Sequence, residues 1–240
     1  MIIKVIEEIA ELLLIVASLY LTLSFYVYRC QPTWSEALQD RRFKTILALI
    51  LSVTAIKVSE DVLGGESGLI DSNILIFIHS HVANSMNIIF EIATSTGSSK
   101  VLFPLATVTT IIFLYQNHRA EALLLAASVI SSACTIYIIK MIVNRSRPTL
   151  WSTEWYWGSS FPSGHTLAVT AYATAVVLCL GRIKPESRIL PSILATIWVL
   201  LVAISRLVLG VHWPTDVLVA ICIGAFLPIA ISSLFKLSKS

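Results

Sequence analysis

Long apolar runs recur from one end of the chain to the other, at residues 12–28, 43–58, 101–115, 122–143, 166–180, 189–208 and 217–235. A helix needs about 20 mostly apolar residues, with about 17 as the lower limit, to cross the hydrocarbon core of a bilayer. Where lipid is the solvent, every backbone polar group must find its partner within the protein, and runs of this length do so as helices. The pattern predicts an all-α, polytopic transmembrane bundle. Composition argues against a soluble alternative: with 56% hydrophobic and 13% charged residues, too little polar surface remains to cover the chain.

The net charge is +3, and nothing in its pattern points to nucleic acid as a partner. Cys30, Cys134, Cys179 and Cys222 lack metal-ligand spacing, and three of them lie in apolar runs, where a thiol behaves as a small hydrophobe. Neither a disulfide nor a metal site is expected from them. Glu7, Glu8 and Glu11 precede the first apolar run and no small-residue cleavage site follows it, so that run reads as a retained helix rather than a signal peptide. Residues 64–100 are too polar for an obvious span. Within them Ile74, Phe77, Ile78, Val82, Ile88, Ile89 and Ile92 recur near helical spacing, which predicts an amphipathic helix lying in the membrane interface and ended by Thr96, Gly97 and Ser98. His79 and His81 fall on different faces of it and read as interfacial or hydrogen-bonding groups.

Basic residues beside short loops set topology. Arg29, Arg41, Arg42, Lys44, Arg119, Arg182, Lys184, Arg188, Lys236 and Lys239 fall on one side, which the positive-inside rule makes cytoplasmic. The amino terminus is then outside and the carboxyl terminus inside. Lys4, Lys57, Lys100, Lys140, Arg145, Arg147 and Arg206 fall on the other side, the last four of them around two loops whose residue types carry chemistry.

Lys140, Arg147 and Pro148 close the fourth run. At about 100° per residue, a separation of seven returns to nearly the same helical face, so Lys140 and Arg147 are expected to point at one object from a helix that Pro148 ends. Lys140 lies within an otherwise apolar stretch. A cation costs about 2.5 to 3.5 kcal/mol near a helix centre and less near its end, so one retained there points to function. Arg145 departs from that face by about 140° and is expected to contact the loop or lipid headgroups.

Phe161, Pro162, Ser163, Gly164 and His165 stand immediately before the fifth run. A turn opening a helix there presents free backbone N–H groups, which with the helix dipole bind phosphate. Gly164 lets the backbone approach an anion, Ser163 adds a hydroxyl, and His165 can deliver a proton. Taken by itself Ser163 could equally be a plain helix cap. Ser205, Arg206, His212 and Asp216 join the sixth and seventh runs. A helix beginning near Pro214 puts His212 and Asp216 on one face. A carboxylate on one imidazole nitrogen fixes the tautomer and leaves the other nitrogen free to attack phosphorus. The loops at 144–162 and 209–214 are separated by two crossings and open on the same side, so all these residues can converge.

Lys140 to Pro148 as Lys-x6-Arg-Pro, Pro162 to His165 as Pro-Ser-Gly-His, and Ser205 to Asp216 as Ser-Arg-x5-His-x3-Asp resemble, in order and without a gap, the type 2 phosphatidic-acid phosphatase family. The resemblance implies a six-helix membrane phosphatase domain over residues 43–240, with residues 1–42 an extra amino-terminal transmembrane helix and cytoplasmic loop. It implies that His212 forms a phosphohistidine, Asp216 orients it and His165 protonates the leaving oxygen. Lys140, Arg147, Ser163, Gly164 and Arg206 would bind the phosphate, with no metal or other cofactor. The expected substrate is a lipid phosphate (polyprenyl pyrophosphate, phosphatidylglycerol phosphate or phosphatidic acid) among membrane lipids, at the extracytoplasmic face of the plasma membrane. A lipid phosphotransferase on the same scaffold, or a non-enzymatic lipid-phosphate transporter, are the alternatives.

Overall fold

A computed structural model describes residues 2–30, 38–39, 41–151 and 158–237, and every regular element among them is helical. In chain order these are α1 (Ile2–Cys30), α2 (Arg42–Gly64), α3 (Gly68–His81), α4 (Asn87–Thr96), α5 (Ser99–Tyr115), α6 (Arg119–Ile142), α7 (Gly164–Ile183), α8 (Ile189–Val208) and α9 (Pro214–Leu237). Short 3-10 turns at Asn84–Met86 and Pro185–Ser187 join α3 to α4 and α7 to α8. The chain divides into two compact units, Met1–Lys57 and Val58–Ser240, at a point inside α2. In the first unit, Lys57 Nζ pairs with Glu11 Oε2 at 2.6 Å.

Among the described residues, five helices are long and apolar enough to cross a membrane: α1 from Glu7, α6, α7, α8 and α9 to Leu234. The bent pair α4 and α5 is long and apolar enough to make a sixth if the two are taken as one broken span. The multi-pass helical membrane fold expected from the apolar runs is therefore present. The second run differs, because Arg42, Lys44, Lys57, Glu60 and Asp61 confine the uncharged part of α2 to residues 45–56.

The segment at 64–100, expected as one interfacial helix, divides in two. After α3, α4 ends where expected, and the chain bends by 44° into α5. At the bend, a Cβ on Gly97 would lie 2.9 Å from Val202 Cγ1 and 3.1 Å from Val169 Cγ2. Only glycine lets the break pack this closely against α7 and α8.

The second unit is organised around α7. Its Leu167, Val169, Ala171, Ala175 and Cys179 are fully buried, and it packs against α5, α6, α8 and α9. Small residues permit this, since without a hydrophobic drive between helices in lipid, close backbone approach and packing hold them together. A Cβ on Gly224 of α9 would sit 2.7 Å from the Leu167 carbonyl and 2.8 Å from Thr170 Cβ. The clash is with backbone, which cannot swing aside. Gly224→Ala is expected to separate α7 from α9 and to destabilise the fold by about 1 to 3 kcal/mol, read as a lowered Tm in detergent; an unchanged Tm would contradict this packing.

Candidate active site

Three helix ends and the loops between them converge in the second unit. α6 ends at Ile142, with Val143 already extended. Arg147 therefore leaves from the loop and not, as the seven-residue spacing suggested, from the same helix as Lys140. Both still reach one site, because the loop folds back: Ser160 N–H donates to the Arg145 carbonyl at 3.0 Å, and the Lys140 ammonium donates to the Ser159 carbonyl.

Opposite them, α7 opens at Ser163. Its hydroxyl makes no capping bond but pairs with Thr166 Oγ1 at 2.9 Å, so the plain-cap reading fails. Ser163 N–H donates to the Asp216 carbonyl at 3.2 Å, tying the start of α7 to the first turn of α9. A Cβ on Gly164 would meet Ile136 Cγ2 at 3.5 Å and Lys140 Cε at 3.9 Å, ordinary contacts, so protein packing does not require a glycine there.

The loop from α8 to α9 supplies the second imidazole. Gly210 turns it with φ +64°, and a Cβ there would fall 2.6 Å from Trp151, whose ring in turn stacks on His79 at 4.0 Å. His79 was expected as an interfacial or hydrogen-bonding group and instead stacks on that ring, while His81 Nδ1 bonds locally to Ser80 Oγ and the Phe77 carbonyl. Buried His212 turns Nδ1 toward Asp216 Oδ2 at 3.4 Å and Nε2 toward Arg147 Nη1 at 3.4 Å. The same Arg147 nitrogen donates to the Val211 carbonyl at 2.9 Å. Burial pushes the His212 imidazole down to about 4, with Arg206 and Arg147 acting the same way and Asp216 opposing them. The ring is therefore neutral at ordinary pH, with a lone pair to offer.

Arg206, 1% exposed, projects from the last turn of α8 and donates to Thr94 Oγ1 of α4 at 2.7 Å. The charges of Arg206, Lys140 and Arg147, together with His212, act on His165, so the expected phosphate-binding cations and both imidazoles share one locus. Beside His165 an apolar cavity of about 290 Å³ is lined by Gly97, Leu102, Phe103, Val129, Ile136 and Tyr172. The arrangement offers an imidazole nitrogen beside a carboxylate, a second imidazole, and three cations for an anion.

Arg145 overturns the expectation of a loop or headgroup contact. Its guanidinium is mostly buried, bonding Asp216 Oδ1 on one side and Asp71 Oδ2, at 2.6 Å, on the other. The 140° offset assumed a helix that has already ended. Asp71, Thr94, Ser159 and Thr215 were also not anticipated. Of these Asp71 alone left a trace, as a lone acid in the apolar surroundings of α3.

Residues 121–239 match the family model described as the PAP2 superfamily. Phosphatidylglycerophosphatase B of Escherichia coli K12 is 41% identical over 67 residues, 28% of this chain and 25% of that protein, so the match spans about a quarter of that relative's length. Undecaprenyl-diphosphatase of Sulfolobus acidocaldarius is 26% identical over 205 residues, 81% of this chain and 93% of that protein. The crystal structure of a transmembrane PAP2-type phosphatidylglycerolphosphate phosphatase from Bacillus subtilis superposes with a TM-score of 0.69 at 22% identity, covering 80% of this chain and 96% of that one, and shares its fold. With the three motifs gathered at one locus and the fold in agreement, the chain belongs to the PAP2 superfamily.

Proposed function

We propose that this protein is an integral-membrane phosphatase that hydrolyses a phosphomonoester or pyrophosphate of a lipid through a phosphohistidine on His212. One observation carries the reading: His212 lies with Nδ1 3.4 Å from Asp216 Oδ2 and Nε2 3.4 Å from Arg147 Nη1, in a site shared by a second imidazole and further cations. In the first step Nε2 attacks phosphorus and the bond to the leaving oxygen breaks with its electron pair, while His165 supplies that oxygen's proton. Lys140, Arg147, Arg206, the Ser163 hydroxyl and the backbone at Gly164 hold the charge on the equatorial oxygens. Water then attacks the phosphohistidine and releases inorganic phosphate. The cations perform the electrostatic task that Mg²⁺ performs at other phosphoryl-transfer sites, so no metal is required.

The apolar cavity beside His165 suits the first carbons of a lipid chain, which selects lipid phosphates over soluble ones. Phosphatidylglycerol phosphate, polyprenyl pyrophosphate and phosphatidic acid are the substrates to try, the first two also matching the names of the relatives. The phosphatase domain occupies residues 43–240, with 1–42 an added amino-terminal element. The positive-inside pattern puts the site at the extracytoplasmic face of the plasma membrane.

Purified protein in detergent is expected to release inorganic phosphate from at least one of these lipids with full activity in excess chelator. A strict metal requirement would overturn the electrostatic assignment. Radiolabel recovered on a second lipid, with none in free phosphate, would identify a phosphotransferase instead, and binding without turnover a transporter.

A further inference from the structure

Asp71 lies outside the three motifs, yet it is fully buried and aimed at their centre. Its Oδ2 accepts from Arg145 Nη2 at 2.6 Å and from Thr215 Oγ1 at 2.8 Å, and its Oδ1 accepts from the Thr215 backbone N–H at 3.0 Å. The other guanidinium nitrogen of Arg145 donates to Asp216 Oδ1 and, at 2.8 Å, to Thr215 Oγ1. Ser67 Oγ completes the set at 3.1 Å from Arg145 Nη2. One guanidinium thus spans two fully buried carboxylates, and the second of these faces His212.

We propose that Asp71 is a positioning residue for the reaction on His212, acting through Arg145 on Asp216. The inference rests on the reading of His212 as nucleophile. Paired with Asp216 alone, Arg145 would cancel the charge that Asp216 presents to the ring. Shared with Asp71, it leaves one net negative charge among the three groups, next to His212 Nδ1. When Nε2 bonds to phosphorus and the bond to the leaving oxygen breaks with its electrons, the ring becomes cationic with its proton still on Nδ1. That is the moment at which the surplus negative charge matters, because a charge buried away from water interacts strongly with a neighbour. Attack of water on phosphorus, with its proton passing to the His165 ring that gave one up in the first step, then breaks the N–P bond and returns its pair to Nε2, and the His212 ring is neutral again. Geometry adds to the electrostatics: by holding the Thr215 N–H and hydroxyl, Asp71 fixes the first turn of α9, which carries Asp216.

Asp71→Asn keeps the shape and removes the charge. The assay uses full-length protein in detergent micelles with dioctanoylphosphatidic acid and farnesyl diphosphate as probes, with rates expressed per folded protein. The expected result is a kcat lowered roughly tenfold to a hundredfold, with KM changed less than about twofold, since Asp71 does not touch the phosphate. Arg145→Gln is expected to lower kcat similarly, and the double variant to be no worse than Arg145→Gln alone, because both act through one linkage. Arg145→Lys keeps a cation but cannot span both carboxylates, so it decides the matter if Asp71→Asn does not fold; it too should lose kcat at constant KM. Wild-type kcat in Asp71→Asn or Arg145→Lys, or losses that add fully in the double variant, would overturn the proposal even if His212→Ala is inactive. Absence of phosphate release by the wild type from both probes would instead sink the reading of His212, and this inference with it.

Discussion

His212→Ala is expected to lower phosphate release on the order of 10⁴-fold or more, with the helical fold retained by circular dichroism. Among the described residues, His212 is the imidazole with a carboxylate beside Nδ1 and a cation beside Nε2. In the wild type, rapid quenching with labelled substrate should trap an acid-labile, base-stable phosphoryl group that is absent from the variant. The pH profile gives a second measure of the same claim. Burial holds the imidazole near 4, against about 6.5 for an unperturbed histidine. The His212 ring therefore stays unprotonated as pH falls through 6.5 and is protonated only near 4. The acid limb of kcat/KM that tracks His212 belongs near pH 4; a limb near 6.5 would show that the ring is solvated in the working enzyme. Full activity in His212→Ala would end the phosphatase assignment.

The second large effect separates the two imidazoles by role. His165→Gln is expected to lower hydrolysis of a lipid phosphomonoester by about 10²- to 10⁴-fold, the usual contribution of a positioned proton donor. An alkoxide leaves poorly without a proton, whereas a nitrophenolate leaves readily. The loss should accordingly shrink to less than about tenfold with para-nitrophenyl phosphate, while His212→Ala stays inactive toward both. Equal losses on the two substrates would mean that His165 binds phosphate and does not protonate the leaving group. His165 lines the apolar cavity, which puts it within reach of the ester oxygen of a lipid whose first carbons enter there.

Much of this molecule was legible from residue order. Apolar runs of bilayer length dictated transmembrane helices, because lipid leaves the backbone no other partner than itself. The three motifs marked His165, His212, Asp216, Lys140, Arg147, Ser163, Gly164 and Arg206 through local chemistry: ionisable groups at helix ends and inside apolar stretches. Where the local rule had a false premise, it misled. The helix carrying Lys140 stops at Ile142, so spacing along it could not describe Arg145 or Arg147. The segment at 64–100 read as one helix because its apolar residues keep a helical period on both sides of the break.

What the sequence determined by itself is the class of fold and the inventory of reactive groups, since both follow from periods and residue types within a few turns. Tertiary structure alone decided which of those groups share charge. Arg145, beyond α6, comes to lie between Asp71 of α3 and Asp216 of α9 only once the helices have packed. Coulomb interaction depends on distance through space and on exclusion of water, and neither is recorded in the order of residues along the chain.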